Sequence, residues 1–196
     1  MQTRRAILDA AGRLLVQGGY AAMTMQAVAA EAGVALDTVY TAVGRKPVLV
    51  RLLIETAISG TEEATPGPER QYVRDIRAAT TAREKLAIYA TAISLIHQRL
   101  APIVRALRDA AAQDKELEAL WKEVAERRAR NMRLFAKDLL ATGEVRPELT
   151  TERTSDVLWS MNAPEFYMLL VDERGWTPEE FATWLADAWA RLLLAA

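Results

Sequence analysis

Cysteine is absent from the 196 residues, and histidine occurs once, as His97. The first absence excludes disulfides, thiol nucleophiles and thiolate metal sites. The second leaves almost no material for a histidine-based catalytic dyad. The sequence also lacks a glycine-rich phosphate loop, a His-x-x-x-His metal spacing and a nucleophile elbow. No enzyme activity, cofactor or metal is expected. No apolar run reaches the ~18 residues that suggest a membrane span. The basic start, with Arg4 and Arg5, leads into an interrupted apolar pattern, unlike the continuous core of a secretory signal. The expected location is cytoplasmic, with no membrane partner. Alternation of apolar and polar residues, the mark of a half-buried strand, is missing throughout.

What remains is a chain that is 51% hydrophobic and 26% charged, enough to bury a core and stay soluble. Its formal net charge is −1, which argues against a general nucleic-acid coat. The distribution says more. Residues 1–50 carry five basic side chains (Arg4, Arg5, Arg13, Arg45, Lys46) against three acidic ones (Asp9, Glu31, Asp37). That small basic excess lies in the segment with the most specific pattern.

Helical periodicity predicts an all-α fold of about nine helices. Ile7, Ala10, Ala11, Leu14 and Leu15 share one face, and Gly18-Gly19 ends that helix. Thr24 suits the N-cap of a second helix that turns Val28, Ala29 and Ala32 inward. Gly33 permits a tight turn. A third short helix over about 36–43 buries Val39 and Val43 and presents Leu36, Asp37, Tyr40 and Thr41. Residues 24–43 therefore read as a helix-turn-helix whose second member can enter a major groove. A fourth helix over about 46–59 connects this three-helix domain, 1–45, to a helical body, 46–196. Residues 60–70 hold two prolines and two glycines and read as a loop. Beyond it, one helix is expected through Leu86 to Leu100, a new one from Pro102, a long one over about 115–141, another over about 152–173 and a last one through Phe181 to Leu193. Thr177-Pro178-Glu179-Glu180 predicts a capping box at the start of the last helix.

The stretch from Arg4 to Leu53 resembles the N-terminal domain of the TetR family of transcriptional regulators. The resemblance rests on Ile7-Leu8 with Ala10-Ala11, Gly19-Tyr20, Thr24, Val28-Ala29, Ala32-Gly33-Val34, Thr38-Val39-Tyr40, and Lys46 with Leu49. It implies that Lys46 holds a phosphate at the start of the fourth helix and that Tyr40 contacts the DNA backbone. It implies phosphate contacts for Thr24 and Thr38 at helix starts. Gln26, Leu36, Asp37 and Thr41 occupy positions that meet base edges in relatives. The sequence departs from the family at Asp37, where a small residue or proline is usual, and at Ala42-Val43, which replace His-Phe. Asp37 either accepts from a cytosine or caps the helix.

The segment from Leu158 to Leu194 resembles the C-terminal helix pair through which one TetR subgroup dimerises. Leu158, Met161, Met168 and Leu169 would form one apolar face of a single helix, and Trp159, Asn162, Phe166 and Leu170 another, with a bend expected at Pro164, which removes a backbone hydrogen bond. The resemblance implies a homodimer on a near-palindromic double-stranded DNA operator, usually as a repressor. It also implies a mostly apolar pocket for a small-molecule effector in each body. Candidate effector contacts are polar or aromatic residues interrupting apolar stripes: His97, Trp121, Arg128, Trp159, Asn162, Phe166 and Tyr167. Each has a plainer reading as core, and Arg128 as a snorkelling or ion-paired side chain. A regulator without an effector, governed by abundance or a protein partner, is the second reading.

Overall fold

The computed structural model describes residues 2–60, 66–112 and 114–195, all of which are helices and their connections apart from one isolated bridge between Val145 and Leu194. Among the described residues there are ten α-helices: α1 (Gln2–Ala22), α2 (Met25–Ala32), α3 (Leu36–Val43), α4 (Lys46–Ser59), α5 (Gln71–Ala78), α6 (Ala82–Ala111), α7 (Lys115–Leu140), α8 (Thr151–Met161), α9 (Pro164–Tyr167) and α10 (Pro178–Leu193). The expected loop at 60–70 lies partly outside the described residues; its described end forms a single 3₁₀ turn at Gly67–Glu69.

The chain divides into two compact units. The first comprises residues 1–64 and 99–123, the second 65–98 and 124–196. Helices α6 and α7 each contribute to both.

Local chemistry explains the ends of the first elements. Gly19 adopts φ 72° and ψ −178°, so α1 breaks there as the paired glycines suggested. Thr24 caps α2, its Oγ1 accepting from the Ala27 N–H at 3.0 Å. Gly33 closes α2 in the left-handed region. Its N–H donates to the Ala30 carbonyl while that of Val34 reaches back to Ala29, a Schellman arrangement. Arg13 of α1 pairs with Glu31 of α2 at 3.1 Å. Ile7, Leu15, Val28, Val39 and Leu49 are fully buried and form the centre of the first unit with Met23.

Two expectations about prolines are corrected. Pro102 does not start a helix; it lies inside α6, which runs 30 residues from a reciprocal Thr81–Glu84 capping box. An internal proline forfeits the hydrogen bond to the carbonyl four residues back, here that of Gln98. The burial of Leu100, Ala101, Ile103, Val104 and Leu107 on both sides of it keeps the helix continuous. The helix expected over 152–173 is not a single bent one. It stops at Asn162, and Pro164 becomes the first residue of α9, a position whose missing N–H costs nothing. Residues Met168–Glu173 continue α9 with π-helical bonding. The two apolar faces proposed for one helix are therefore carried by two helices. Leu158 and Asn162 are buried, whereas Trp159 and Leu169 are exposed.

In the second unit, α10 begins with the expected capping box: Glu180 N–H donates to Thr177 Oγ1 at 3.1 Å and Thr177 N–H to Glu180 Oε2 at 2.7 Å. The core holds Phe181, Leu185, Trp189 and Leu193 of α10 with Leu86, Leu139 and Leu158, all fully buried.

Candidate functional site

In the first unit, α2, the Gly33 turn and α3 form the helix-turn-helix. Helix α3 buries Val39 and Val43 and leaves Asp37, Tyr40 and Thr41 exposed. Positions 37, 40 and 41 lie three and four residues apart and so share one helical face. Leu36 and Thr38 are half-buried in the first turn, and Gln26 is exposed in the first turn of α2. The hydroxyl of Thr41 donates to the Asp37 carbonyl at 2.8 Å. The capping alternative for Asp37 is not what the fold adopts: the N-cap is Ala35, which has no side chain to cap with. Asp37 stands one residue inside the helix, where its charge complements the helix dipole. Tyr40 is 45% exposed, so it is not a core residue.

Lys46 is the first residue of α4, and its ammonium sits 3.8 Å from the centre of the Tyr20 ring. Partial burial pushes the Lys46 pKa down, while the nearby Asp114 carboxylate opposes that shift. Burial, then Asp114 and Glu116, push the Tyr20 phenol up. The other cations at this end of α4 meet acids of α7. Arg45 pairs with Glu116 at 3.1 Å, and Arg51 grips Glu123 with both guanidinium nitrogens. These three cations thus face a row of carboxylates, which no sequence spacing announced because the partners lie about seventy positions apart.

In the second unit, four of the seven candidate effector residues gather around a fifth, Asn162. Its carbonyl accepts from Arg128 Nη1 and from His97 Nε2, each at 3.2 Å. Since a carbonyl only accepts, the neutral His97 ring carries its proton on Nε2. Among the described residues His97 Nδ1 then has no hydrogen-bond partner, and neither has Asn162 Oδ1. The Arg128 guanidinium lies 4.6 Å from the Trp159 ring centre, and the Tyr167 ring stands 5.8 Å from His97. Burial, reinforced by the Arg128 charge and opposed by the Asn162 hydrogen bonds, lowers the His97 pKa to about 4. The other two candidates stand apart. Phe166 stacks on Trp184 at 6.1 Å, and Trp121 lies half-buried on the part of α7 that belongs to the first unit.

Two residues that the stripe pattern did not single out complete the network. Asn162 Nδ2 donates to the Tyr89 hydroxyl at 2.6 Å and to Met132 Sδ at 3.3 Å. Tyr89 and Met132 also line a cavity of about 330 Å³, whose other walls come from residues 67–77, from Asn131 and from Leu134, Phe135 and Asp138 of α7. None of the seven candidates lines that cavity; Asn162 stands directly behind it. The volume lies at the lower end of the range for small-molecule sites. No group of residues suited to holding a metal ion occurs among the described residues. No helix there is long and apolar enough to cross a membrane.

Three helices with a Schellman turn and an outward-facing tyrosine and threonine form a helix-turn-helix. Residues 7–42 match the family of bacterial regulatory proteins, tetR family. That match covers the helix-turn-helix, and the described chain has the fold of solved TetR-family transcriptional regulators. Solved structures agree along the whole length. One, described as a TetR-family transcriptional regulator from Rhodococcus sp., is 17% identical, covers 99% of both chains and has a TM-score of 0.70. NalD, the secondary repressor of the MexAB-OprM multidrug efflux pump in Pseudomonas aeruginosa, is 22% identical over 98% of this chain and 95% of its own, at 0.72. A transcriptional regulator from Saccharomonospora viridis in complex with choline is 15% identical over 98% of both chains, at 0.71. No curated protein sequence matches the chain.

Proposed function

We propose that the chain is a homodimeric repressor whose N-terminal domain, residues 1–45, holds a near-palindromic operator and whose body, residues 46–196, releases it when a small molecule binds. The observation that carries this reading is the TetR-type helix-turn-helix with Tyr40 and Thr41 exposed on α3 and Lys46 opening α4. Thr24, Gln26, Leu36, Asp37 and Thr38 complete the proposed contact set. A two-fold dimer would set two copies of α3 about 34 Å apart, one turn of DNA. The cavity of the second unit favours a ligand-responsive regulator over one governed only by abundance or a protein partner. Helices α6 and α7 are continuous through both units, so an effector that prefers one packing of the second unit has a covalent route to the first.

The test is salt-dependent binding of the purified protein to the DNA flanking its own coding sequence. Replacing Tyr40→Phe and Lys46→Ala together is expected to weaken binding about tenfold or more, and to lower the log-log salt slope by about 2 for a dimer that loses one phosphate contact per Lys46. Binding and slope unchanged by the double variant would sink the reading.

The pairing of Arg45 with Glu116 gives a second expectation. Glu116 thereby holds a negative charge against the residue next to Lys46, where it repels an operator phosphate. Glu116→Gln is therefore expected to tighten operator binding by about threefold at low salt, an exposed pair being worth under ~1 kcal/mol. The gain should fade as salt rises. A gel-shift titration at two ionic strengths checks it.

A further inference from the structure

A lysine gives up the freedom of a long flexible stem when it grips a phosphate, and that cost falls if the ammonium is held in place beforehand. The cations of α4 are held in two ways. Arg45 and Arg51 are ion-paired with Glu116 and Glu123. Lys46 rests instead on a ring, its Nζ lying 3.8 Å from the centre of Tyr20. A carboxylate partner cancels much of the charge that DNA would meet. The face of a neutral ring orients an ammonium and leaves its charge whole.

Local features of three elements of the first unit bring these groups together. Gly19, at φ 72° and ψ −178°, breaks the helical path of α1 immediately before Tyr20. Lys46 is the first residue of α4, where the unpaired N–H groups of the opening turn add their own attraction for an anion. Asp114 precedes α7, and its Oδ1 accepts from the N–H groups of Glu116 and Leu117 at 2.8 and 3.2 Å, which fixes that carboxylate. Its charge acts on Lys46 and on Tyr20, and at Lys46 it opposes the downward push of burial on the pKa. Tyr20 and Lys46 are both half-buried, so the ring face is shielded on the protein side while the ammonium stays within reach of solvent.

We propose, building on the operator reading above, that Tyr20 is a positioning residue for DNA binding: its ring presets the Lys46 ammonium at the N-terminus of α4 for a phosphate. Tyr20 acts through Lys46, and its contribution exists only while Lys46 is there to be held.

The test uses the full chain and a short mixed-sequence DNA duplex at low salt, because phosphate contacts do not depend on sequence and no operator need be known. Affinity is measured for the wild type, Lys46→Ala, Tyr20→Phe, Tyr20→Leu and the combined Lys46→Ala, Tyr20→Leu variant. Lys46→Ala is expected to weaken binding about tenfold. Tyr20→Leu keeps apolar volume and removes the ring. It should weaken binding about fivefold when Lys46 is present and leave it unchanged in the Lys46→Ala chain. Tyr20→Phe keeps the ring face and should stay within about twofold of the wild type. A packing role would give Tyr20→Leu the same penalty in both backgrounds. That result would overturn the positioning role and leave the Lys46 contact standing. Lys46→Ala without effect would overturn the DNA reading of Lys46, and the positioning role with it. Nuclear magnetic resonance of the free chain checks the clamp without DNA. The Lys46 ε-methylene protons, set over a ring face, should resonate upfield in the wild type and in Tyr20→Phe, and at the ordinary lysine position in Tyr20→Leu. An ordinary position in the wild type would overturn the proposal whatever the folding of the variants.

Discussion

Acidification from pH 7 to pH 4 is expected to remove about 3 kcal/mol of unfolding free energy through His97 alone. The ring is 1% exposed, and burial lowers its folded pKa from 6.5 to about 4. Above pH 6.5 it is neutral in both folded and unfolded chains, so its contribution is fully present. As pH falls below 6.5 the unfolded chain takes up a proton that the folded chain refuses, and stability drops until the folded pKa is reached. Arg128 and His97 share the Asn162 carbonyl, so a charged imidazole would stand beside a guanidinium with nothing between them but one oxygen. Glu165 is the acid whose charge bears on Arg128. Chemical denaturation at stepped pH should show a slope between pH 6.5 and 4 that His97→Gln flattens. Carboxylates contribute equally to both proteins, and the difference isolates the imidazole. Identical slopes would mean that the ring is not held neutral. Operator release on mild acidification should follow the same window if the Asn162 network supports the DNA-competent body.

How much of this was legible in the sequence depended on whether the cause was local. Thr24, Gly33 and the Thr177–Glu180 box act on groups within a few residues, and each does what its residue type dictates. The all-α class followed from periodicity for the same reason. Proline was misread because its effect depends on context. Pro102 is tolerated inside α6 by the burial around it, whereas Pro164 opens a new helix at a break begun by Asn162. The effector candidates show the limit most clearly. Interruptions of apolar stripes pick out His97, Arg128 and Asn162, which the structure joins by hydrogen bonds, since a buried polar group must be hydrogen-bonded and such groups tend to meet. They did not find Tyr89 or the cavity beside it. A tyrosine on an apolar face looks like core until its hydroxyl partner, 73 positions away, is known. Nor could they separate Trp121, which lies in the other unit.

Trp189→Ala carries the largest expected loss of stability, about 3–5 kcal/mol. The side chain is fully buried, and its ring stacks on Tyr89. Truncation opens a void that helices capped and packed on both sides cannot collapse to fill, and the Tyr89 ring loses the surface that holds it upright at the cavity. Two controls give the prediction its content. Trp189→Phe keeps a ring against Tyr89 and deletes an indole N–H that has no hydrogen-bond partner among the described residues, so it should cost less than half as much. Leu192, on the same helix, is 49% exposed. Its truncation should change the unfolding midpoint little at a concentration where the protein is monomeric. At higher concentration Leu192→Ala should lower the midpoint if α10 forms part of the proposed dimer seam, because dissociation then precedes unfolding. Trp189→Ala should lower it at every concentration. Denaturation at two protein concentrations, with all three variants side by side, separates a residue that holds the protomer together from one that joins two protomers.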